Sequence, residues 1–209
     1  MTLVKENLAH LKIIVVGDSC VGKTCLIHSY ESGHFSPGYL STIGMDYFKK
    51  KILVKNNKEV VLNLWDTAGQ ERYHSLTQNY LKGTDGLLIC VSLDEREYIK
   101  QIKFWIEKIQ EVIDESEIKI LIVGTKSDLV SEQVCNTFTQ SIETEFRNKY
   151  KCVITSAKKS KGVDHAFKEI ANLIIHSKEE LDDMDIQSTH SIKTTKVTKS
   201  KYKKKKKCC

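Results

Sequence analysis

No stretch of this 209-residue chain approaches the roughly 18–20 apolar residues that a membrane-spanning helix needs. The longest candidates, LKIIVVG (residues 11–17) and GLLICVSL (residues 86–93), have the length of strands. The N-terminus, MTLVKENLAH, has no apolar core of the signal-peptide kind, and Thr2 stands where N-myristoylation would need glycine. These absences predict a chain made and kept on the cytosolic side. The seven cysteines include no C-x-x-C pair, which argues against a zinc clasp or a disulfide framework. Cys20, Cys25, Cys90, Cys135 and Cys152 are expected to be free thiols, several of them buried as small hydrophobes, with Cys20 and Cys25 as inert packing residues. A basic face on the folded part is also missing. Of the net charge of +6, the residues from Ser177 onward supply +5, ten lysines against five acids. A near-neutral body argues against a nucleic-acid-binding domain, so no nucleic acid is expected as a partner. There is no internal repeat.

What the chain does have is alternation. LKIIVVG predicts a buried parallel strand, and a helix should follow over about Lys23 to Ser32. MDYFKKKILVKNNKEVVLNLWD (residues 45–66) predicts two strands around an Asn56–Asn57 turn. GLLICVSL, KILIVGT and CVITSA are three more strands. Helices are predicted over residues 96–113, with apolar Ile99, Ile102, Trp105, Ile106, Ile109 and Ile113 on one face, and over 131–150 and 162–177. Ser131 and Asp164 are the expected N-caps of the last two. Strands alternating with helices define an α/β doubly wound fold: a six-stranded, mostly parallel sheet with one antiparallel strand, flanked by helices. Ligands bind such sheets at the carboxyl ends of the strands. After about Ser177 the sequence turns polar and rich in Lys, Thr and Ser. Residues 8–177 are therefore the expected domain, and 178–209 a disordered tail.

The chemistry sits where strands end. GDSCVGKT (Gly17, Asp18, Ser19, Cys20, Val21, Gly22, Lys23, Thr24), followed by Cys25, matches the phosphate-loop pattern with a strand before and a helix after. Its glycines let backbone N–H groups approach phosphate oxygens, Lys23 brings charge, and the Thr24 hydroxyl suits Mg²⁺. A chance glycine turn would lack that flanking context. GTKSDL (residues 124–129) ends the fifth strand. There the Asp128 carboxylate can accept N1–H and the 2-amino group of guanine, and Lys126 can lay its stem along the base. Adenine offers no such donor pair. A polar turn alone would look the same. LWDTAGQERY (residues 64–73) places Asp66 across from the phosphate loop, where it can hold a Mg²⁺ shell. Gly69 can offer an N–H to the γ-phosphate, and Gln70 can orient a water.

Together these segments resemble the Ras superfamily of small GTPases, and more closely the Rab family. The similarity covers about residues 8 to 177 and the closing CC. It includes STIGMDYF (residues 41–48), WDTAGQERYHSLT (residues 65–77) and SAK (residues 156–158). The resemblance implies a P-loop small G domain that hydrolyses GTP to GDP and phosphate with Mg²⁺. Lys23, Thr42 and Gln70 would form the catalytic set, and Thr24, Thr42 and Asp66 the metal set. Phe35 would pack edge-on against guanine. Thr125, Ser156, Ala157 and Lys158 would complete the base site. Ile43, Gly44, Tyr47, Trp65, Tyr73 and Tyr80 would face effectors. Four features depart from the pattern. Thr125 replaces the asparagine of most members, Tyr47 replaces phenylalanine, Leu81 stands where a tyrosine is favoured, and residues 87–95 lack the usual strand-end aspartate.

The resemblance also gives the terminal KYKKKKKCC a purpose. Cys208 and Cys209 would each take a prenyl chain, and the lysines would add attraction to an anionic membrane surface, about 1 kcal/mol each near it. The implied location is the cytoplasmic face of an intracellular membrane, with a soluble cytosolic pool. No arginine of the chain stands where it could complete the catalytic site. Arg72, beside Gln70, suits a structural or partner contact. Slow intrinsic turnover and a GTPase-activating protein are expected, together with an exchange factor, effectors of the GTP form, a prenylation escort and a GDP-dissociation inhibitor. The switch itself is expected to be a monomer. Two alternatives stay open. A Rho- or Ras-like signalling GTPase would carry a C-a-a-X box, and for Rho an inserted helix that the 27 residues between Asp128 and Ser156 leave no room for. A nucleotide-locked scaffold would not need Lys23, Asp66 and Gln70. Without the paired cysteines, the lysine run would suit a nuclear-localisation signal or a nucleic-acid tail.

Overall fold

The computed structural model describes residues 8–35, 45–67 and 81–194, with side-chain placement as far as Glu180. Strand β1 (Ala9–Val16) has no charged residue after Lys12, and Ile13 to Val16 are wholly buried. A strand apolar on both faces belongs in the middle of a parallel sheet. β1 lies between β3 (Glu59–Thr67) and β4 (Gly86–Ser92), parallel to both. β5 (Lys119–Thr125) and β6 (Lys151–Ile154) extend the sheet in parallel on one side. β2 (Met45–Leu53) pairs antiparallel with β3 on the other. The order β2-β3-β1-β4-β5-β6 is the expected six-stranded, mostly parallel sheet. The β2–β3 turn forms where predicted. Asn56 and Asn57 adopt φ of 60° and 54°, a left-handed conformation that asparagine tolerates, and the Val54 N–H donates to the Lys58 carbonyl at 2.9 Å.

Four helices lie among the described residues: α1 (Lys23–Ser32), α2 (Tyr98–Gln110), α3 (Glu132–Glu145) and α4 (Val163–Thr194). α2 buries Ile102, Trp105, Ile106 and Ile109, while Ile99 and Ile113 are half-buried against the same cluster. α3 adds Phe138 and Ile142. These side chains meet Ile14, Val16, Leu87, Ile89, Val91, Ile120 and Ile122 of the sheet. The opposite sheet face meets α4. A methyl group added at Gly86 would press on Ile170 and Ile174, and by strand alternation Leu88 and Cys90 share that face. Tyr30 of α1 stacks on Phe167 of α4 with ring centroids 4.0 Å apart. Burying a side chain such as Phe167 contributes about 1.5–3 kcal/mol.

Ser131 does cap α3, accepting from the Val134 N–H at 3.4 Å. α3 stops at Glu145, short of residue 150, because Arg147 and Asn148 turn left-handed at φ 50° and 59°. Asp164 lies in the first turn of α4, after the helix has begun at Val163, where its charge complements the helix dipole. α4 also continues through Thr194, past Ser177 where the sequence reading ended it. No glycine or proline follows Gly162 to stop it, and His176 and Glu180 pair across one turn at 3.4 Å. The chain divides into two compact units, one ending at Ile174 and one beginning at Ile175. Among the described residues no helix is long and apolar enough to cross a membrane.

Candidate functional site

β1 delivers its loop at the carboxyl end of the sheet. Gly17 takes φ 143°, and a Cβ there would lie 2.2 Å from the Cys90 carbonyl oxygen, so only glycine fits. Gly22, at φ 102°, caps α1 in the left-handed region. Cys20 is also left-handed at φ 63°, and it is exposed, not packed as expected. Between these turns the loop folds over the Lys23 side chain. Lys23 is only 4% exposed, and its ammonium donates to the Gly17 carbonyl at 2.8 Å and the Asp18 carbonyl at 3.0 Å. Among the described residues its hydrogen bonds go only to neutral carbonyls, and a buried cation so held is poised for an anion. Cys25 is half-buried, and burial pushes its thiol up.

The β1–β3 register sets Val15 beside Asp66, which brings the carboxylate to the same end of the sheet. The Thr24 hydroxyl donates to Asp66 Oδ2 at 2.6 Å. Asp66 Oδ1 is buried and meets no hydrogen-bond donor among the described residues. Burial pushes this carboxyl up, while the Thr24 hydrogen bond and the Lys23 charge pull it down. A hydroxyl beside an orphaned carboxylate oxygen suits a hard, oxygen-seeking cation. No cluster of three His, Cys, Asp or Glu side chains occurs among the described residues. A Mg²⁺ held here would therefore complete its shell from hydroxyl, water and phosphate oxygens. The pair Thr24–Asp66 fits that role and would anchor the ion beside the phosphates.

The third group comes from β5 and β6. Thr125, 4% exposed, points its hydroxyl at the Val21 carbonyl of the phosphate loop and at the Val91 carbonyl of β4, the latter 3.0 Å away. Lys126 is left-handed at φ 56° and its ammonium lies 3.9 Å from Asp94. The Ser156 hydroxyl donates to Asp128 Oδ1 at 2.5 Å, fixing the carboxylate's orientation. Ala157 follows, its carbonyl accepting from the Ser29 hydroxyl of α1 at 3.2 Å, and Lys158 is exposed. Phe35 is exposed just beyond α1. Tyr47 and Trp65 face one another across β2 and β3, with ring centroids 5.0 Å apart, and the Tyr47 hydroxyl donates to Asn63 Oδ1 at 2.7 Å. Thr42, Ile43, Gly44, Gly69, Gln70, Tyr73, Tyr80, Cys208 and Cys209 lie outside the described residues.

Two contributors escaped sequence reasoning. Trp105 fits the apolar stripe of α2, the pattern of a core residue. Its indole N–H donates to Asp18 Oδ1 at 3.1 Å, tying the phosphate loop to α2. Asp18 is itself 6% exposed, so its carboxylate is spent on the scaffold and only its backbone is offered to a ligand. Ser29 likewise joins α1 to the Ala157 loop. Nothing local in the sequence marks either contact.

A glycine-wrapped anion loop, a hydroxyl–carboxylate cation site and a carboxylate suited to guanine, all at one end of a doubly wound sheet, define a nucleotide-binding domain of the phosphate-loop class. The Ras family profile matches residues 12–176. The Ras-related protein Rab-11B of Dictyostelium discoideum is 39% identical over 168 residues, covering 79% of this chain and 74% of that protein. The Ras-related protein RABD1 of Arabidopsis thaliana is 37% identical over 164 residues, 78% of each. The Ras-related protein Rab-1D of Dictyostelium discoideum is 32% identical over 205 residues, 93% of this chain and 97% of that protein. The chain belongs to the Ras family, as a divergent member of its Rab branch. It is a Rab-like small GTPase of vesicular trafficking, binding GTP and GDP with Mg²⁺. GTPase regulators and effectors act on it, as they do across the family.

Proposed function

We propose that the residues gathered at the strand ends take the individual roles that the family pattern suggests, in a switch that works from a membrane surface. The observation that carries this is the pairing of a buried Lys23, whose ammonium donates to two loop carbonyls, with Asp66 Oδ1, which meets no donor among the described residues, beside the Thr24 hydroxyl. Lys23 neutralises charge on the β- and γ-phosphates, and Thr24 and Asp66 hold Mg²⁺. Asp128, oriented by Ser156, accepts from guanine, with Lys126 along the base and the Ala157 N–H on the guanine carbonyl. Gln70 orients the attacking water, and Thr42 closes on the γ-phosphate in the GTP form. Catalysis is then positioning and electrostatic stabilisation, and a partner's arginine supplies about 10³- to 10⁵-fold. Effectors dock on Tyr47 and Trp65 with Ile43, Gly44, Tyr73 and Tyr80. An exchange factor and an activating protein set the cycle, and an escort and a GDP-dissociation inhibitor handle a chain prenylated on Cys208 and Cys209. Its place is the cytoplasmic face of an intracellular membrane.

Two experiments test this. The nucleotide released on denaturing the purified protein should be GDP at near one per chain, and GTP turnover without a partner should stay below about 1 s⁻¹. Adenine nucleotide, or fast unassisted turnover, would defeat the assignment of the site. Separately, Cys208→Ser/Cys209→Ser protein should leave the membrane fraction of cells. If it still pellets with membranes, the cysteines are not the anchor.

A further inference from the structure

A cavity of about 300 Å³ opens between the last turns of α2 and the turn that follows α3. That volume is at the small end of the range for ligand pockets. Lys149 and Tyr150 lead straight into β6, so the cavity lies at the amino end of the strands, opposite the phosphate loop. Its floor is apolar. Ile106 and Tyr150 are each 7% exposed, and Phe146 meets the Tyr150 ring edge-on with centroids 5.3 Å apart.

The rim is charged, and most of its charge is engaged. Lys103 of α2 pairs with Glu145. Lys149, the Tyr150 hydroxyl and Gln110 all donate to Glu115, at 2.8, 2.6 and 2.6 Å. Two rim charges of opposite sign have no ion-pair partner among the described residues: Glu107 on α2, and Arg147 across the cleft from it. Arg147 is held left-handed at φ 50°, and the Asn148 N–H closes the turn on the Glu143 carbonyl at 2.9 Å. That conformation is costly for arginine, and strained backbone of this kind gathers at ligand clamps.

An apolar floor between an unpaired cation and an unpaired anion suits a ligand that carries both charges beside an apolar group. A purely anionic ligand would satisfy Arg147 and be repelled by Glu107, and a cationic one would meet the reverse. We propose that this cleft binds a free amino acid with an apolar or aromatic side chain. Its carboxylate faces Arg147, its ammonium faces Glu107, and its side chain lies on Ile106, Phe146 and Tyr150. The inference is independent of the nucleotide assignment.

Both charges sit at an exposed rim, so each contributes only a few-fold, and the Kd for L-phenylalanine should be on the order of 1 mM. Titration of the ¹⁵N-labelled full chain, loaded with GDP and Mg²⁺, with L-phenylalanine up to about 10 mM reads it through amide shifts. Saturable shifts should centre on residues 106, 107 and 146–150. Phenylalaninamide, which lacks the carboxylate, and N-acetylphenylalanine, which lacks the ammonium, should each bind about fivefold more weakly. Arg147→Gln should erase the advantage of phenylalanine over phenylalaninamide and keep its advantage over N-acetylphenylalanine, and Glu107→Gln should do the reverse. Both side chains are exposed, so both variants should fold. Absence of saturable shifts at these residues overturns the proposal. So does either analogue binding as tightly as phenylalanine: an equal amide would mean a clasp for a peptide N-terminus, and an equal N-acetyl compound a simple carboxylate site. The wild-type comparison decides the matter even if a variant fails to fold.

Discussion

Replacing Gly17 by alanine tests whether the phosphate loop is held by backbone contact with the sheet. The added Cβ would lie 2.2 Å from the Cys90 carbonyl oxygen and 3.3 Å from Val21 Cγ2. The oxygen belongs to the backbone of β4, paired on both sides, so it cannot swing away as a side chain would. Relief requires the loop or the strand to shift by about 1 Å, at an overpacking cost of about 1–3 kcal/mol. The φ of 143° adds backbone strain of about 1–3 kcal/mol. Gly22→Ala is the internal control. It too has a positive φ, 102°, but its Cβ would meet nothing closer than 3.9 Å. It suffers the strain without the collision. Gly17→Ala should therefore cost about 3–5 kcal/mol and Gly22→Ala about 1–3 kcal/mol. For a domain of this size the former lowers Tm by about 10 °C. Urea unfolding of the three proteins at equal GDP and Mg²⁺ measures the difference, since bound nucleotide contributes to each. Equal losses in the two variants, or a Gly17→Ala loss under about 1 kcal/mol, would refute the contact argument.

Three further outcomes follow from the same geometry. Trp105→Phe keeps an aromatic side chain but removes part of the buried ring and the N–H that meets Asp18. It should cost about 1–3 kcal/mol in urea unfolding and hasten GDP release, and an unchanged release rate would mean the tie does not position the loop. Burial pushes the Cys90 thiol up to about 12, whereas Cys20 is exposed, so iodoacetamide at pH 8 should modify Cys20 in the folded chain and leave Cys90 untouched. Peptide mass mapping reads the result. Burial alone would raise the Glu115 carboxyl, but hydrogen bonds from Lys149, Tyr150 and Gln110 outweigh it and hold the group below its ordinary range. A depressed folded value contributes stability above the unfolded value and loses it as pH falls through the folded one. Glu115→Gln should thus cost about 1–2 kcal/mol at pH 7, and the gap to wild type should close on acidification below the carboxylate range, as followed by urea midpoints.

The sequence alone determined the elements and the chemical inventory. Short continuous apolar runs and the Asn-Asn turn place the strands, because central parallel strands are buried on both faces, and the 3.6-residue spacing of Ile102, Trp105, Ile106 and Ile109 places a helix, because only one of its faces is buried. GDSCVGKT is legible because a phosphate loop is a continuous segment whose backbone does the work. Only the tertiary structure decided what lies between segments distant in sequence. That Asp66 Oδ1 meets no donor among the described residues beside Thr24, that Trp105 clasps Asp18, and that the Thr125 hydroxyl faces Val21 and Val91 are consequences of strand order and register. Helix length was likewise undecided locally. Beyond Ser177 the apolar residues thin to Leu181, Met184, Ile186 and Ile192 among polar ones, yet no glycine or proline breaks α4 either. Local periodicity reports which face is buried, while hydrogen-bond partners across the sheet depend on which strands become neighbours, and that is settled only when the whole core packs.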